Sequence, residues 1–216
     1  MIQLHYYPST AAMVPHIVLE EMGIDYERIF VDRAAGEHKR ADYLALNPNG
    51  RIPVLVDGQI VLYETAAILV HLCDTHPQAR LAPAVGTADR AHFYKWLAWM
   101  TNTLQASLMI YFYPERWMNP GNEAGALELK ANAQQTVGVQ LDLLDAHFAQ
   151  HGGPWLLGGD YSALDAYAFT LCRWTRNFSA QPARSRAYLG PYLQRMLARP
   201  AVQRTIANEK LAHPLV

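Results

Sequence analysis

Residues 47–65 hold the most chemically suggestive pattern in the chain: Asn47-Pro-Asn-Gly-Arg51-Ile52-Pro53-Val-Leu-Val-Asp57-Gly58, then Ile60-Val-Leu-Tyr-Glu64-Thr65. Pro53 has no N–H, so it belongs at the first residue or the edge of a strand, where the N–H and C=O of Ile52 stay available to a ligand backbone. An extended peptide suits such an edge; an ordinary turn before an edge strand is the competing reading of this segment alone. Glu64 and Thr65 stand where a helix begins. An acid–hydroxyl pair at a helix start is a binding-site arrangement. A capping threonine beside a solvated first-turn acid is the plainer alternative.

Other reactive residue types form weaker patterns. Of the nine histidines, His71 and His76 form one pair and His147 and His151 another. Neither has the third and fourth ligands a zinc site needs, so no metal is expected. Gly158-Gly159 lacks the lysine and hydroxyl of a phosphate loop. Ser162 and Asp165 have the spacing of a capping box at the head of an apolar helix. Cys73 and Cys172 lie far apart, each in an apolar run, and read as reduced core thiols of a cytoplasmic protein.

These residues need elements to position them. Periodicity predicts a strand at 2–6, a helix at 12–22, a strand at 26–31 and a short irregular helix at 37–46. A hairpin follows around Asp57-Gly58, with strands at 54–56 and 60–62, then a helix at 64–74. The prolines at 77 and 83 break the periodicity. Beyond them come helices at 87–111, 124–148, 164–175, 185–197 and 200–207. The fold class is therefore α/β followed by all-α: a first domain over 1–76, a linker over 77–86 and a helical domain over 87–216.

Composition narrows the partners. The chain has 216 residues, 51% of them hydrophobic, and a formal charge of -1, which is enough to bury a sizeable core. Residues 1–80 carry 10 acids against 6 Lys and Arg, and residues 81–216 carry 9 against 12. Neither half has the dense basic stripe that nucleic acid requires. With no basic-then-apolar leader and no apolar run of membrane-spanning length, neither secretion nor a membrane is expected.

In this order, the proline-led strand, the helix starting at Glu64-Thr65 and the Gly-Asp-x-Ser-x-x-Asp box at 159–165 resemble the cytosolic glutathione transferases over almost the whole chain. Tyr7-Pro-Ser9-Thr10-Ala-Ala-Met13-Val-Pro-His16 and Tyr111-Phe112-Tyr113-Pro-Glu-Arg116 look most like bacterial members near the beta class. The resemblance implies a thioredoxin-like N-terminal domain of order βαβαββα, a homodimer, and glutathione as cosubstrate. It places Pro53 in a cis peptide with Ile52 bonding the cysteinyl backbone, and Glu64 and Thr65 on the γ-glutamyl end. Lys39 and Arg51, with His38 as a third choice, are left for the glycine carboxylate.

The sequence departs from its nearest relatives at the reactive position, where their cysteine matches Ala11 and the serine behind it matches Ala12. Mixed-disulfide chemistry is therefore closed. A glutathione thiol still needs a donor to hold its thiolate. Ser9 matches the activating serine of the serine-type classes, and Thr10 is the second choice. Tyr6 and Tyr7 are too close to the strand for the tyrosine role. A turn or cap role for Ser9 competes with this reading. A second departure is Thr103-Leu-Gln105-Ala106, where the relatives carry an acid and a His-Lys pair.

For the electrophile, the helical domain offers Tyr111, Phe112, Tyr113, Trp117 and Trp174, with Met13 from the first domain, each of which could instead be core. Arg176 could orient a polar acceptor or simply end its helix. The expected function is glutathione conjugation to a hydrophobic electrophile, with isomerase, dehalogenase and peroxidase chemistries open. The alternative is a noncatalytic ligand-binding or interaction member, favoured by the loss of the cysteine at Ala11.

Overall fold

The structure is a computed structural model that describes residues 1–216. The chain divides into two units, Met1–Ala82 with Leu197–His213, and Pro83–Met196 with Pro214–Val216.

In the first unit, β1 (Ile2–Tyr6), α1 (Met13–Met22), β2 (Tyr26–Phe30), α2 (Ala41–Leu46), β3 (Val54–Asp57), β4 (Ile60–Tyr63) and α3 (Thr65–Thr75) follow one another. The sheet order is β2-β1-β3-β4, with β1 parallel to β2 and both hairpin strands antiparallel to their neighbours. This is the thioredoxin-like βαβαββα arrangement the sequence implies. Leu4 and Leu55 are paired across β1 and β3 and fully buried. The residues of α1 from Met13 to Leu19 are buried on every side, the mark of a helix covered all round. The sheet, α3 and one further helix supply the cover. Gly23 ends α1 in the left-handed region at φ 63°, its N–H donating to the Leu19 carbonyl.

That further helix, α9 (Pro200–Asn208), departs from the sequence reading, which assigns all of 87–216 to the helical domain. It packs on α1 because its charges find partners there. Arg199 forms two bonds to the Glu21 carboxylate at 2.5 and 2.8 Å, and the Arg204 guanidinium donates to Glu20 Oε2 at 2.6 Å. Periodicity registers a helix's apolar face but says nothing about which distant surface receives its charges.

The second unit begins with a long rod. It comprises α4 (Ala88–Trp99), a π-helical stretch (Met100–Gln105) and α5 (Ala106–Phe112), where the sequence predicts one regular helix. A π turn accommodates an extra residue without breaking the rod, so apolar spacing alone does not reveal it. Helix α6 (Glu123–His151) follows, started by the Asn122 side chain accepting from the Gly125 N–H and ended at Gly152. Every residue of α7 (Ala163–Trp174) is buried.

At the head of α7, Asp165 takes three hydrogen bonds. Its Oδ2 accepts from the Ser162 N–H at 2.9 Å and the Ser162 hydroxyl at 3.2 Å, and its Oδ1 accepts from the Leu156 N–H at 2.8 Å. Burial pushes the Asp165 carboxyl up to about 6 against the pull of these donors. Helix α8 (Leu189–Leu197) starts later than the predicted 185. Arg186 is extended there, with its side chain bonded to Asp142 and to the Gly138 carbonyl. No helix is long and apolar enough to cross a membrane.

Candidate functional site

The strand register selects one end of the sheet. His5 pairs with Val54, and Val54 with Tyr63. The residues that follow β1, precede β3 and follow β4 therefore emerge together, which gathers Tyr7–Thr10, Ile52–Pro53 and Glu64–Thr65. The Ile52–Pro53 peptide is cis. Its lead-in is fixed by the Arg51 carbonyl, which accepts from both the Tyr43 hydroxyl and Asn47 Nδ2 at 2.8 Å. The Arg51 side chain is left exposed.

Gly50 sits at φ 57°, and a Cβ there would stand 2.9 Å from the His38 carbonyl. That close approach requires glycine. It also brings the 47–51 turn against the Glu37–Lys39 turn, so Lys39 and Arg51, both exposed, lie on adjoining turns. Thr65 is buried as the first residue of α3, while Glu64 before it is exposed. This sheet end thus presents extended backbone, a helix N-terminus suited to a carboxylate, an acid, and cations on the two turns.

Two non-glycine residues here hold positive φ, Ser9 at 62° and Glu64 at 70°. Such a conformation costs on the order of 1–3 kcal/mol and persists only where its surroundings enforce it. At Ser9 the enforcing group is Glu209, just beyond α9. Its Oε2 accepts from the Ser9 N–H at 2.8 Å, and its Oε1 accepts from His16 Nδ1 at 2.8 Å. Both side chains of the His16–Glu209 pair are completely buried. The sequence reading quotes His16 only within a motif and does not name Glu209. Glu209 lies 200 positions from Ser9 and 193 from His16, and no local pattern joins them.

The two hydroxyl candidates differ. The Thr10 hydroxyl donates to the Tyr7 carbonyl at 2.6 Å and weakly accepts from the Ala12 N–H at 3.4 Å. Its only proton is thereby committed to the turn. Ala11 and Ala12 are buried where α1 begins. Tyr6 is packed edge-on against His16 and Phe30. Met13, a candidate for the electrophile pocket, is fully buried in α1 and offers no surface to a ligand. Its place in an all-round-buried helix is the reason.

The remaining pocket candidates lie in the second unit. Tyr111 meets Phe178 at 4.4 Å between ring centroids, and Phe112 meets Trp174 edge-on at 6.1 Å. Phe112 is 41% exposed and Trp117 49%, whereas Trp174 is buried, at 9%. Tyr113 lies under the Arg116 guanidinium, 4.0 Å from its ring centroid. The sequence reading omits Phe178, which lies in the turn after α7 and which helical periodicity does not reach.

Residues 1–74 match the family model described as the glutathione S-transferase N-terminal domain. Glutathione S-transferase 3 of Zea mays is 33% identical over 204 residues, covering 91% of this chain and 89% of that protein. Among solved structures, a glutathione transferase homologue from Sulfitobacter with bound glutathione superposes with a TM-score of 0.88 at 27% identity, over 98% of this chain and 99% of the other. A bacterial beta class glutathione S-transferase from Sphingomonas chungbukensis gives 0.82 at 27% identity, over 97% and 100%.

Proposed function

The chain belongs to the cytosolic glutathione transferase superfamily, and on that footing we propose that Ser9 activates the thiol of bound glutathione for transfer to a hydrophobic electrophile. The observation that carries this reading is the Ser9 turn. A strained serine just ahead of α1 is held by a buried carboxylate, while the neighbouring Thr10 proton is engaged by Tyr7. In this reading the Ser9 hydroxyl donates to the thiolate, with the N-terminal dipole of α1 adding to the stabilisation.

In this reading the Ile52 backbone, ahead of Pro53, bonds the cysteinyl part of glutathione. Glu64 meets the γ-glutamyl ammonium, and Thr65 with the first N–H groups of α3 takes its carboxylate. Lys39 and Arg51 take the glycine carboxylate. The thiol proton leaves to solvent, and the sulfur forms its new bond to an acceptor seated on Tyr111, Phe112, Tyr113, Trp117 and Trp174. The protein acts as a homodimer, a reading supported by the apolar Val139 and Leu143 exposed on α6. Two buried free cysteines support a reducing compartment, the cytoplasm.

Ultraviolet titration of the glutathione thiolate on wild type, Ser9→Ala and Thr10→Ala tests this, once calorimetry has shown binding to each. The bound thiol is expected to titrate at least one unit below the free value of about 8.5. It should return toward that value in Ser9→Ala and stay low in Thr10→Ala. Ala11 in place of a cysteine favours the second reading, a noncatalytic binding member, and a bound thiol with an unshifted pKa would establish it.

A further inference from the structure

The aromatic cluster of the helical unit carries a charge pattern that an uncharged acceptor does not need. Lys130 Nζ stands 5.0 Å from the Tyr111 ring centroid, and the Arg116 guanidinium stands 4.0 Å from that of Tyr113. Arg176 is half-buried, placed in sequence between Trp174 and Phe178, the residues whose rings meet Phe112 and Tyr111. No carboxylate lies within ion-pair distance of any of the three.

The Arg176 guanidinium makes one hydrogen bond, from Nη1 to the Arg173 carbonyl at 3.2 Å, although it carries five N–H donors. Burial with no compensating acid lowers its pKa. A cation at a helix end is favourable on its own account, which explains that one contact. It does not explain Lys130, about a quarter of the way along α6, or Arg116, which follows α5 in a short turn. A partly dry cation without a counter-ion is costly, and a bound anion would recover that cost.

We propose that the acceptor is an aromatic acid, its ring seated on Tyr111 and Phe112 and its carboxylate or sulfonate facing Arg176, with Lys130 and Arg116 adding their field. This rests on the reading above that the cluster receives the electrophile. For an aryl chloride, the bond from sulfur to the ring carbon forms, the carbon–chlorine bond breaks, chloride leaves with the electron pair, and the thiol proton goes to solvent.

The test separates charge recognition from turnover. Calorimetry on the glutathione-saturated protein compares dinitrobenzoate with dinitrobenzamide, neither of which can be conjugated by chloride loss. The carboxylate is expected to bind about tenfold more tightly than the amide, with the preference shrinking to under about threefold in Arg176→Gln and recovering in part in Arg176→Lys. Should Arg176→Gln fail to fold, Lys130→Gln and a salt titration of wild type read the same preference. Equal binding of acid and amide by wild type would overturn the inference, as would a preference indifferent to salt and to both glutamine substitutions. A clear preference for the acid, with neither chlorodinitrobenzoate nor chlorodinitrobenzene conjugated faster than without protein, would support the charge inference while the transferase reading falls.

Discussion

The sheet end of the first unit and the aromatic cluster of the second are built by different means. At the sheet end the chemistry lies mainly in the backbone: a cis peptide, two positive-φ residues and the start of α3, held by buried groups such as Asn47, Thr65 and Glu209. At the cluster, side chains do the work. Phe112 and Trp117 stand partly in solvent, and the cations over Tyr113 and Tyr111, Arg116 and Lys130, are themselves exposed. A surface made from buried backbone accepts one ligand shape and tolerates little change. A surface made from exposed side chains can be altered by single substitutions without touching the core. On the proposed reading, this contrast matches a constant cosubstrate at the first region and a variable acceptor at the second.

The largest effect that would break this contrast is expected at Ser9. Ser9→Ala should lower kcat/KM about 100- to 1,000-fold, the usual cost of losing one donor to a developing anion, and steady-state kinetics with any turned-over acceptor would show it. Next comes Glu209→Gln, which removes the buried charge that both the Ser9 N–H and His16 Nδ1 meet. A loss of about 2–3 kcal/mol of stability is expected by denaturant melting, with a raised thiol pKa in the variant that remains folded. A thiol pKa untouched by that change would mean the Ser9 turn does not need its clamp.

Smaller still is Asp165→Asn, which belongs to neither region and serves as a control. The cost is about 1–2 kcal/mol from the mismatched Ser162 cap, with no change in thiol pKa. Its pH dependence has a definite sign. The folded carboxyl titrates at about 6 against 3.8 unperturbed, so the folded state binds the proton more tightly. The stability this proton contributes is complete below about 3.8 and is lost as pH rises through about 6. The advantage of wild type over Asp165→Asn in thermal melts should therefore shrink across that range. The smallest effect is expected from Phe112→Ala, a rise in KM for the acceptor of about three- to tenfold with glutathione affinity unchanged by calorimetry.

Much of the sheet end could be read in advance because its signals are local. Pro53 before a short apolar strand, Asp57-Gly58 at a hairpin, and Glu64-Thr65 at a helix start each declare themselves within a few residues. The capping role of Asp165 was legible for the same reason, though its third partner, the Leu156 N–H, lies nine positions away. What escaped the sequence was long-range or conformational. The Glu209 clamp spans nearly the whole chain, the π turn in the α4–α5 rod leaves the apolar spacing unbroken, and the return of α9 to the first unit depends on pairs such as Arg199–Glu21, 178 residues apart. Thr10 shows a subtler limit. Its identity allowed either role, and only the direction of one hydroxyl, toward the Tyr7 carbonyl, separates them.

The Glu209 clamp also sets an order of events for a chain made from its N-terminus. Ser9 leaves the ribosome 200 residues before the carboxylate that holds it, and α1 waits as long for the helix that covers one of its sides. The half of the protein synthesised first is thus among the last to be finished. Strands β1 to β4 can pair early, while the Ser9 turn stays unclamped until translation is nearly over. A nascent chain arrested before residue 197 would hold a complete sheet but an uncovered α1 and a soft turn at Ser9.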